Sequence, residues 1–176
     1  MPFIVAVSGS PSASSRTAVA VDWSLARLAE AGHDTAHIAA RDLPPADLLA
    51  GARDTPRIGE ALSAITRADA VIVATPIYKA SYTGLLKALL DLLPENALAG
   101  RPVLPLATGG TVGHLLAIDY ALRPVLTALG ADRVLPGRFL LDADIDRDAA
   151  DLTPAASRRL GQTVSSLVEA LPLVAV

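Results

Sequence analysis

The chain has 176 residues, of which 52% are hydrophobic and 19% charged, with a formal net charge of −3 and no cysteine. This composition is typical of one core-rich domain, 1–176, and the charge gives no case for binding nucleic acid or an anionic membrane. The missing cysteines exclude disulfides and thiolate catalysis, and the histidine spacing is not that of a zinc site, so we expect no bound metal.

Alternating strands and helices are predicted along the whole chain from its apolar periodicity. The first strand begins without a basic leader, and no apolar run approaches the ~20 residues of a membrane span, so we expect a cytoplasmic protein. Residues 42–57 hold three prolines and are predicted to be an irregular connection. The predicted elements are, in order, strand Phe3–Ser8, helix Thr17–Ala31 closed by Gly32, strand Asp34–Ile38, helix Arg57–Ala68, strand Ala70–Ala74, helix Tyr82–Leu93, strand Pro102–Ala107, helix Val112–Leu129, a last strand region at Val134–Leu135 and Phe139–Leu141, and helix Thr153–Leu171.

This βα alternation predicts an α/β fold in which a doubly wound, five-stranded parallel sheet lies between two layers of helices. Ligands of such folds bind outside the carboxyl ends of the strands, at the point where the strand order reverses. The loops after the first, third and fourth strands are therefore the predicted site.

The first of these loops, Ser8–Thr17, is rich in hydroxyl groups and carries Gly9 and Arg16. Backbone N–H groups and hydroxyls at the start of a helix are typical of a phosphate site. Arg16 adds a positive charge that can form bidentate hydrogen bonds to a phosphate. The loop matches neither the P-loop nor the dinucleotide motif, and its hydroxyls suit a terminal monophosphate, so flavin mononucleotide (FMN) is the natural candidate. The alternative is a plain turn in which a serine caps the helix.

The other two loops offer groups that could frame a planar ring. Thr75–Tyr82 carries Pro76 and Tyr78, which can hold the backbone extended and cover a ring face. Thr108–Thr111 contains two adjacent glycines, which let a ligand approach the backbone closely. Each loop alone is also compatible with an ordinary strand exit or tight turn. His114 follows the Thr108–Thr111 loop, either at the edge of such a ring or in a capping or packing role.

Three stretches of the chain resemble the NAD(P)H-dependent FMN reductases of the flavodoxin-like superfamily, most closely their alkanesulfonate-utilisation branch. They are Ala74–Ala80, Leu89–Glu95 and Leu104–Thr111, and the last continues into His114–Leu122. The resemblance extends from the first strand to about Leu135. It implies a flavodoxin-like fold with FMN and NADPH as ligands, and hydride transfer from NAD(P)H to the flavin N5. It also implies delivery of the reduced FMN to a flavin-dependent monooxygenase, in the use of sulfonates as a sulfur source.

The resemblance also implies which residues bind the flavin. We expect the phosphate on Ser10, Ser15, Arg16 and Thr17, and the isoalloxazine ring against Pro76, Ile77, Tyr78, Thr108, Gly109, Gly110 and Thr111. No side chain is assigned as a catalytic acid or base, because in hydride transfer the cofactor supplies the chemistry. Ser12 stands where the family often has an arginine. Arg16 is therefore the only cation of this loop, which suits a flavin that is exchanged.

The predicted helix Val112–Leu129 is apolar on nearly all sides, so it is either a deep core helix or a subunit interface. The resemblance favours an interface, in a dimer or a homotetramer, and implies a π-bulge near Tyr120. Pro124 interrupts the hydrogen bonding of the same helix.

Three other functions are compatible with a mononucleotide site in this fold. The first is an enzyme that retains its FMN and reduces quinones or azo dyes. The second is an electron carrier of the flavodoxin type, which the placement of the single tryptophan, Trp23, away from the site disfavours. The third is a nucleotide-binding regulator without turnover.

Overall fold

A parallel sheet runs through the middle of the molecule, and the computed structural model describes residues 1–172 around it. Its strands are β1 (Phe3–Ser8), β2 (Asp34–Ala39), β3 (Ala70–Pro76), β4 (Pro102–Gly109), β5 (Arg133–Val134) and β6 (Arg138–Leu141). Their order is β2-β1-β3-β4-β5, and β6 also pairs with β4. All of these pairings are parallel. The prediction of a doubly wound parallel sheet is confirmed.

Helices cover both faces of this sheet. They are α1 (Arg16–Glu30), α2 (Pro45–Ala50), α3 (Pro56–Arg67), α4 (Gly84–Leu90), α5 (Arg123–Ala128) and α6 (Pro154–Glu169). Successive side chains of a strand point to opposite faces, so Ile4 packs in one core cluster with α1 and α6, while Val5 packs in the other with α3 and α4. The strands β1, β3 and β4 are buried on both faces and form near-continuous apolar runs, which is why they were readily predicted.

The fifth position of the sheet is shared by β5 and β6, as the predicted two-part strand region indicated. Pro102 and Val103 of β4 pair with β5, and Leu106 to Gly109 pair with β6. The interruption falls opposite Pro105, which has no N–H to donate to a neighbouring strand. Gly137 lies in the gap, where an added Cβ would be 3.0 Å from the Pro105 carbonyl oxygen.

The prediction of one long helix over 112–129 is wrong. The segment forms a 3₁₀ turn at Val112–His114, a π-helical turn at Ile118–Leu122 and only then α5. The Arg123 amide donates to the carbonyl of Ile118, five residues back, as in a π-helix. Pro124 has no N–H to continue an α-helical ladder here. The predicted π-bulge near Tyr120 is thus confirmed.

Two short elements were missed. The connection 42–57 contains α2, because Pro45 is tolerated in the first helical turn and Gly51 ends the helix in a left-handed conformation (φ +71°). A two-stranded antiparallel hairpin of β7 (Ile145–Asp146) and β8 (Asp151–Leu152) precedes α6. Neither element has the length or periodicity that sequence patterns detect. Within residues 1–172, no helix is both long and apolar enough to cross a membrane.

Candidate functional site

A polar pocket of about 300 Å³ lies at the carboxyl ends of β1, β3 and β4. It brings together ten of the eleven residues predicted to bind the flavin: Ser10, Ser15, Arg16, Thr17, Pro76, Ile77, Tyr78, Thr108, Gly109 and Gly110. The eleventh, Thr111, lies outside the lining and caps the following 3₁₀ turn, its Oγ1 accepting from the Gly113 amide at 3.3 Å. We refer to this cavity as the strand-end pocket.

Four further residues line the pocket that were not predicted to bind the flavin: Ser12, Ser14, Asp142 and Arg147. The two serines lie in the predicted phosphate loop and add hydroxyls to it. Asp142 and Arg147 come from the segment after β6, about 130 residues further along the chain. No spacing in the sequence indicates that this segment reaches the pocket, because only the pairing of β6 with β4 brings it there.

The first loop is fixed tightly at Gly9 and ends at the start of α1. The Gly9 amide donates to the Ala74 carbonyl at 2.9 Å, and its own carbonyl accepts from Thr83 Oγ1 at 2.6 Å. A Cβ added at Gly9 would lie 2.4 Å from the Cβ of Leu86, so only glycine fits here. Ser15 caps α1, its Oγ accepting from the Ala18 amide at 3.1 Å. The pocket therefore lies at a helix N-terminus, which favours an anion.

Arg16 lines the pocket at the start of α1 with unused hydrogen-bonding capacity. Its Nε is buried and has no partner within residues 1–172. Its Nη1 is 3.8 Å from Asp142 Oδ2, which is an ion pair but too long for a hydrogen bond. A phosphate group would satisfy the guanidinium, so the donor set fits the monophosphate end of FMN.

The second loop was predicted to be extended. The structure shows instead that it turns back after Ile77. The Ile77 amide donates to the Thr108 carbonyl at 2.8 Å, and Tyr78 and Ser81 exchange two backbone hydrogen bonds. Lys79 and Ala80 occupy the tip of this turn with φ of +50° and +63°. Such conformations are strained for residues other than glycine and concentrate at functional sites. The turn presents the Tyr78 side chain half-exposed at the rim of the pocket.

The third loop is held against α1 and β6. Thr17 Oγ1 and Thr108 Oγ1 share a buried hydrogen bond of 2.7 Å, so these two hydroxyls hold the loops together. A Cβ added at Gly109 would lie 3.1 Å from the Phe139 ring and 3.5 Å from His114 Nδ1. The His114 Nδ1 is buried without a partner in the described part of the chain. His114 thus lies behind the glycine loop.

A hydrogen-bonded chain of Ser8, His37 and Asp22 supports the first loop from below. His37 Nε2 is 2.8 Å from Ser8 Oγ, and its Nδ1 is 2.7 Å from Asp22 Oδ1. The order of groups is that of a hydrolytic triad, but Ser8 is only 1% exposed and no substrate could reach its hydroxyl. The three residues instead connect β1, β2 and α1 at the start of the Ser8–Thr17 loop.

A larger groove of about 610 Å³ lies between α1 and α6, away from the strand ends. Trp23 forms part of its lining with the Arg27 guanidinium 5.1 Å from the ring centroid, as expected for a tryptophan remote from the site. In the part of the chain that the structure describes, the lining of the groove comes from α1, its C-cap Ala31 and α6, without a glycine loop. Among residues 1–172, no three metal-ligating side chains are grouped so that they could hold an ion.

A family model described as NADPH-dependent FMN reductase matches residues 2–146. The chain belongs to this family. It is 42% identical to proteins named FMN reductase (NADPH) from Pseudomonas putida (strain KT2440) and Escherichia coli (strain K12). These matches cover 96% of this chain, and 87% and 89% of the two relatives.

The solved structures agree with this assignment. An NADH:FMN oxidoreductase (EMOB), in its apo form, is 43% identical and superposes with a TM-score of 0.91, covering 98% of this chain and 91% of that one. An archaeal flavodoxin shares only the fold, with a TM-score of 0.64 at 12% identity, covering 95% of this chain and 96% of that one. The fold is therefore flavodoxin-like. The protein is an NAD(P)H:FMN oxidoreductase, with FMN and a reduced nicotinamide as its ligands.

Proposed function

We propose that FMN binds in the strand-end pocket, with its phosphate at the N-terminus of α1 and its ring against the loops that end β3 and β4. The observation that carries this proposal is the convergence in one pocket of a helix N-terminus, a glycine pair and the buried Nε of Arg16, which has no partner within residues 1–172. Ser10, Ser12 and Ser14 add donors for the phosphate, and Arg147 supplies a second positive charge.

The residues of this pocket position the reactants and perform no proton transfer. Bound FMN supplies the ring that accepts a hydride from the reduced nicotinamide. The Tyr78 turn and the glycine loop hold that ring, and their backbone dipoles are already oriented before the reaction. Tyr78 is half-exposed at the rim of the pocket, and the nicotinamide is proposed to align against the ring from this side. No side chain is proposed as an acid or base.

We propose further that FMN is exchanged as a substrate and that its reduced form serves a flavin-dependent monooxygenase, in sulfonate-sulfur utilisation. One feature supports exchange: Arg16, the one cation of the Ser8–Thr17 loop, is already paired with the carboxylate of Asp142. An enzyme that retains FMN and reduces quinones or azo dyes is the competing function. Because the reaction consumes cellular NAD(P)H, a cytoplasmic location belongs to the same proposal.

NADPH is the proposed hydride donor, in preference to NADH. The family description and both 42%-identical relatives name NADPH. The solved oxidoreductase at 43% identity is named for NADH, so both donors have to be compared at the same concentrations.

Self-association is the last part of the proposal. Val112, Leu115, Leu116 and Tyr120 are 64%, 48%, 60% and 79% exposed, and we refer to them as the apolar face. Contiguous apolar side chains of this size mark interaction sites, and the face continues from the glycine loop of the pocket. A second copy of the chain is the proposed occupant, in a dimer or a tetramer of two dimers.

Two variants test the assembly by light scattering. Leu116→Asp should lower the mass of the particle in solution, because a carboxylate would be buried in the interface. Leu49→Asp is the matched control, since Leu49 is 83% exposed on α2, outside the apolar face. A monomeric wild type, or equal effects of the two variants, would remove the apolar face from the proposal.

The activity itself is tested by NADPH oxidation at 340 nm with the purified protein, with and without added FMN. Oxidation that requires added FMN and saturates with it is expected for a substrate flavin. A yellow protein that oxidises NADPH without added FMN, and faster with a quinone, would establish the retained-flavin alternative. Absence of oxidation with either nicotinamide would contradict both.

A further inference from the structure

Asp142 places a carboxylate at the phosphate end of the strand-end pocket, where an anion has to bind. Its Oδ2 is 3.8 Å from Arg16 Nη1, and the two side chains are 44% and 33% exposed. Within residues 1–172, Arg16 is its one ionic partner, and its carboxylate accepts no hydrogen bond. A phosphate at the N-terminus of α1 would therefore compete with Asp142 for the same guanidinium.

The position of Asp142 is set by the fold and not by Arg16. The residue follows β6 directly, and β6 is held in the sheet by its pairing with β4. The adjoining turn is fixed by Asp144, which accepts from the Leu141 amide at 3.0 Å and pairs with Arg159 at 3.3 Å. On the other side, a Cβ added at Gly110 would be 3.6 Å from Asp142 Oδ2. The backbone at Asp142 is thus fixed beside the pocket by contacts that do not involve Arg16.

We propose that Asp142 is a specificity-determining counter-ion that competes with the FMN phosphate for Arg16 and keeps the affinity low enough for exchange. The inference rests on the proposed function and identifies the residue that regulates its affinity. A phosphate monoester carries up to two negative charges against one on Asp142, and the helix N-terminus adds donors, so the phosphate displaces the carboxylate. When FMN leaves, Asp142 neutralises Arg16 again and lowers the cost of release.

Removal of the Asp142 charge should change the affinity for a flavin that carries a phosphate, and not for one that lacks it. Asp142→Asn removes the charge at nearly constant shape, and Asp142→Ser removes it with a smaller side chain. Because the pair is partly exposed, either change should lower the Kd of FMN by about threefold to fivefold. Riboflavin has the same ring without the phosphate, so its Kd should change by less than about twofold.

The experiment is a fluorescence titration of the full chain with FMN and with riboflavin. The matched control is Asp148→Asn, which removes the same charge from an exposed position of the same segment outside the pocket lining. Arg16→Ala and the Arg16→Ala/Asp142→Asn double variant complete a cycle. We expect the gain from Asp142→Asn to be smaller in the Arg16→Ala background, because the cation that Asp142 pairs with is then absent.

Several outcomes would overturn the inference. Weaker FMN binding in Asp142→Asn and Asp142→Ser would show that the carboxylate holds the ligand. Equal gains for FMN and riboflavin, or for Asp142→Asn and Asp148→Asn, would show an effect unrelated to Arg16. Failure of the proposed function looks different, because the wild type would then bind neither flavin, or Arg16→Ala would weaken both equally.

Discussion

The strand-end pocket and the α1–α6 groove differ both in volume and in the polar groups that line them. The groove has twice the volume, about 610 Å³ against about 300 Å³, but it lies between the sides of two helices. Backbone donors along the side of a helix are already used in its own hydrogen bonds, whereas those at the first turn are not. The smaller pocket gathers a free helix N-terminus, two arginines and the ends of three strands. We therefore expect the ligand in the strand-end pocket, where polar groups are unsatisfied, and not in the larger cavity.

The largest effect is expected from Gly9→Ala. The new Cβ would lie 2.4 Å from the Leu86 Cβ and 2.8 Å from Thr83 Oγ1, so the phosphate loop or the start of α4 has to move. FMN binding should be lost, with a lower melting temperature in circular dichroism. Gly84→Ala, with no atom within 4 Å of the added Cβ, is the matched control and should leave both properties intact. Normal FMN binding by Gly9→Ala would show that the loop is not the phosphate site.

Arg16→Ala should raise the KM for FMN by about tenfold to a hundredfold while changing the KM for NADPH little, because a charge-assisted hydrogen bond to the phosphate is lost. Arg27→Ala in the groove is the matched loss of an arginine and should leave both constants unchanged. Steady-state rates at 340 nm measure both. Equal changes in the two KM values would remove Arg16 from the phosphate site.

Trp23→Ala tests whether the α1–α6 groove contributes to stability and not to ligand binding. The indole packs beside Gly161 of α6, 3.6 Å from a Cβ added there, so its removal should lower the free energy of unfolding by about 2 kcal/mol. The KM for FMN should not change. Urea denaturation and steady-state kinetics separate the two effects, and a raised KM without loss of stability would make the groove a ligand site.

The smallest effect concerns the Tyr78 turn. Ala80→Gly should raise the free energy of unfolding by up to about 1 kcal/mol, because glycine adopts a φ of +63° without strain. Ala26→Gly, at an exposed position inside α1, should lower it by about 1 kcal/mol. Effects of the same sign in the two variants would show that the turn is not strained.

The sequence predicted what depends on local pattern. Buried parallel strands appear as apolar runs, and Ser15 and Gly9 could be recognised because loop and helix start are adjacent in the chain. Asp142 and Arg147 could not be predicted, since their place in the pocket depends on the split fifth strand across from Pro105. The π-helical turn was predicted from a resemblance and not from periodicity, which instead favoured one continuous helix. The hydrogen bond between Ser8 and His37 likewise exists only through the pairing of β1 with β2.

The measurement that tests the central assignment most directly is a crystal structure of the protein with FMN. We expect the phosphate to lie within hydrogen-bond distance of Arg16 at the N-terminus of α1, with the ring between the Tyr78 turn and Gly109–Gly110. FMN bound in the α1–α6 groove, or bound in the strand-end pocket with its phosphate away from Arg16, would contradict the assignment.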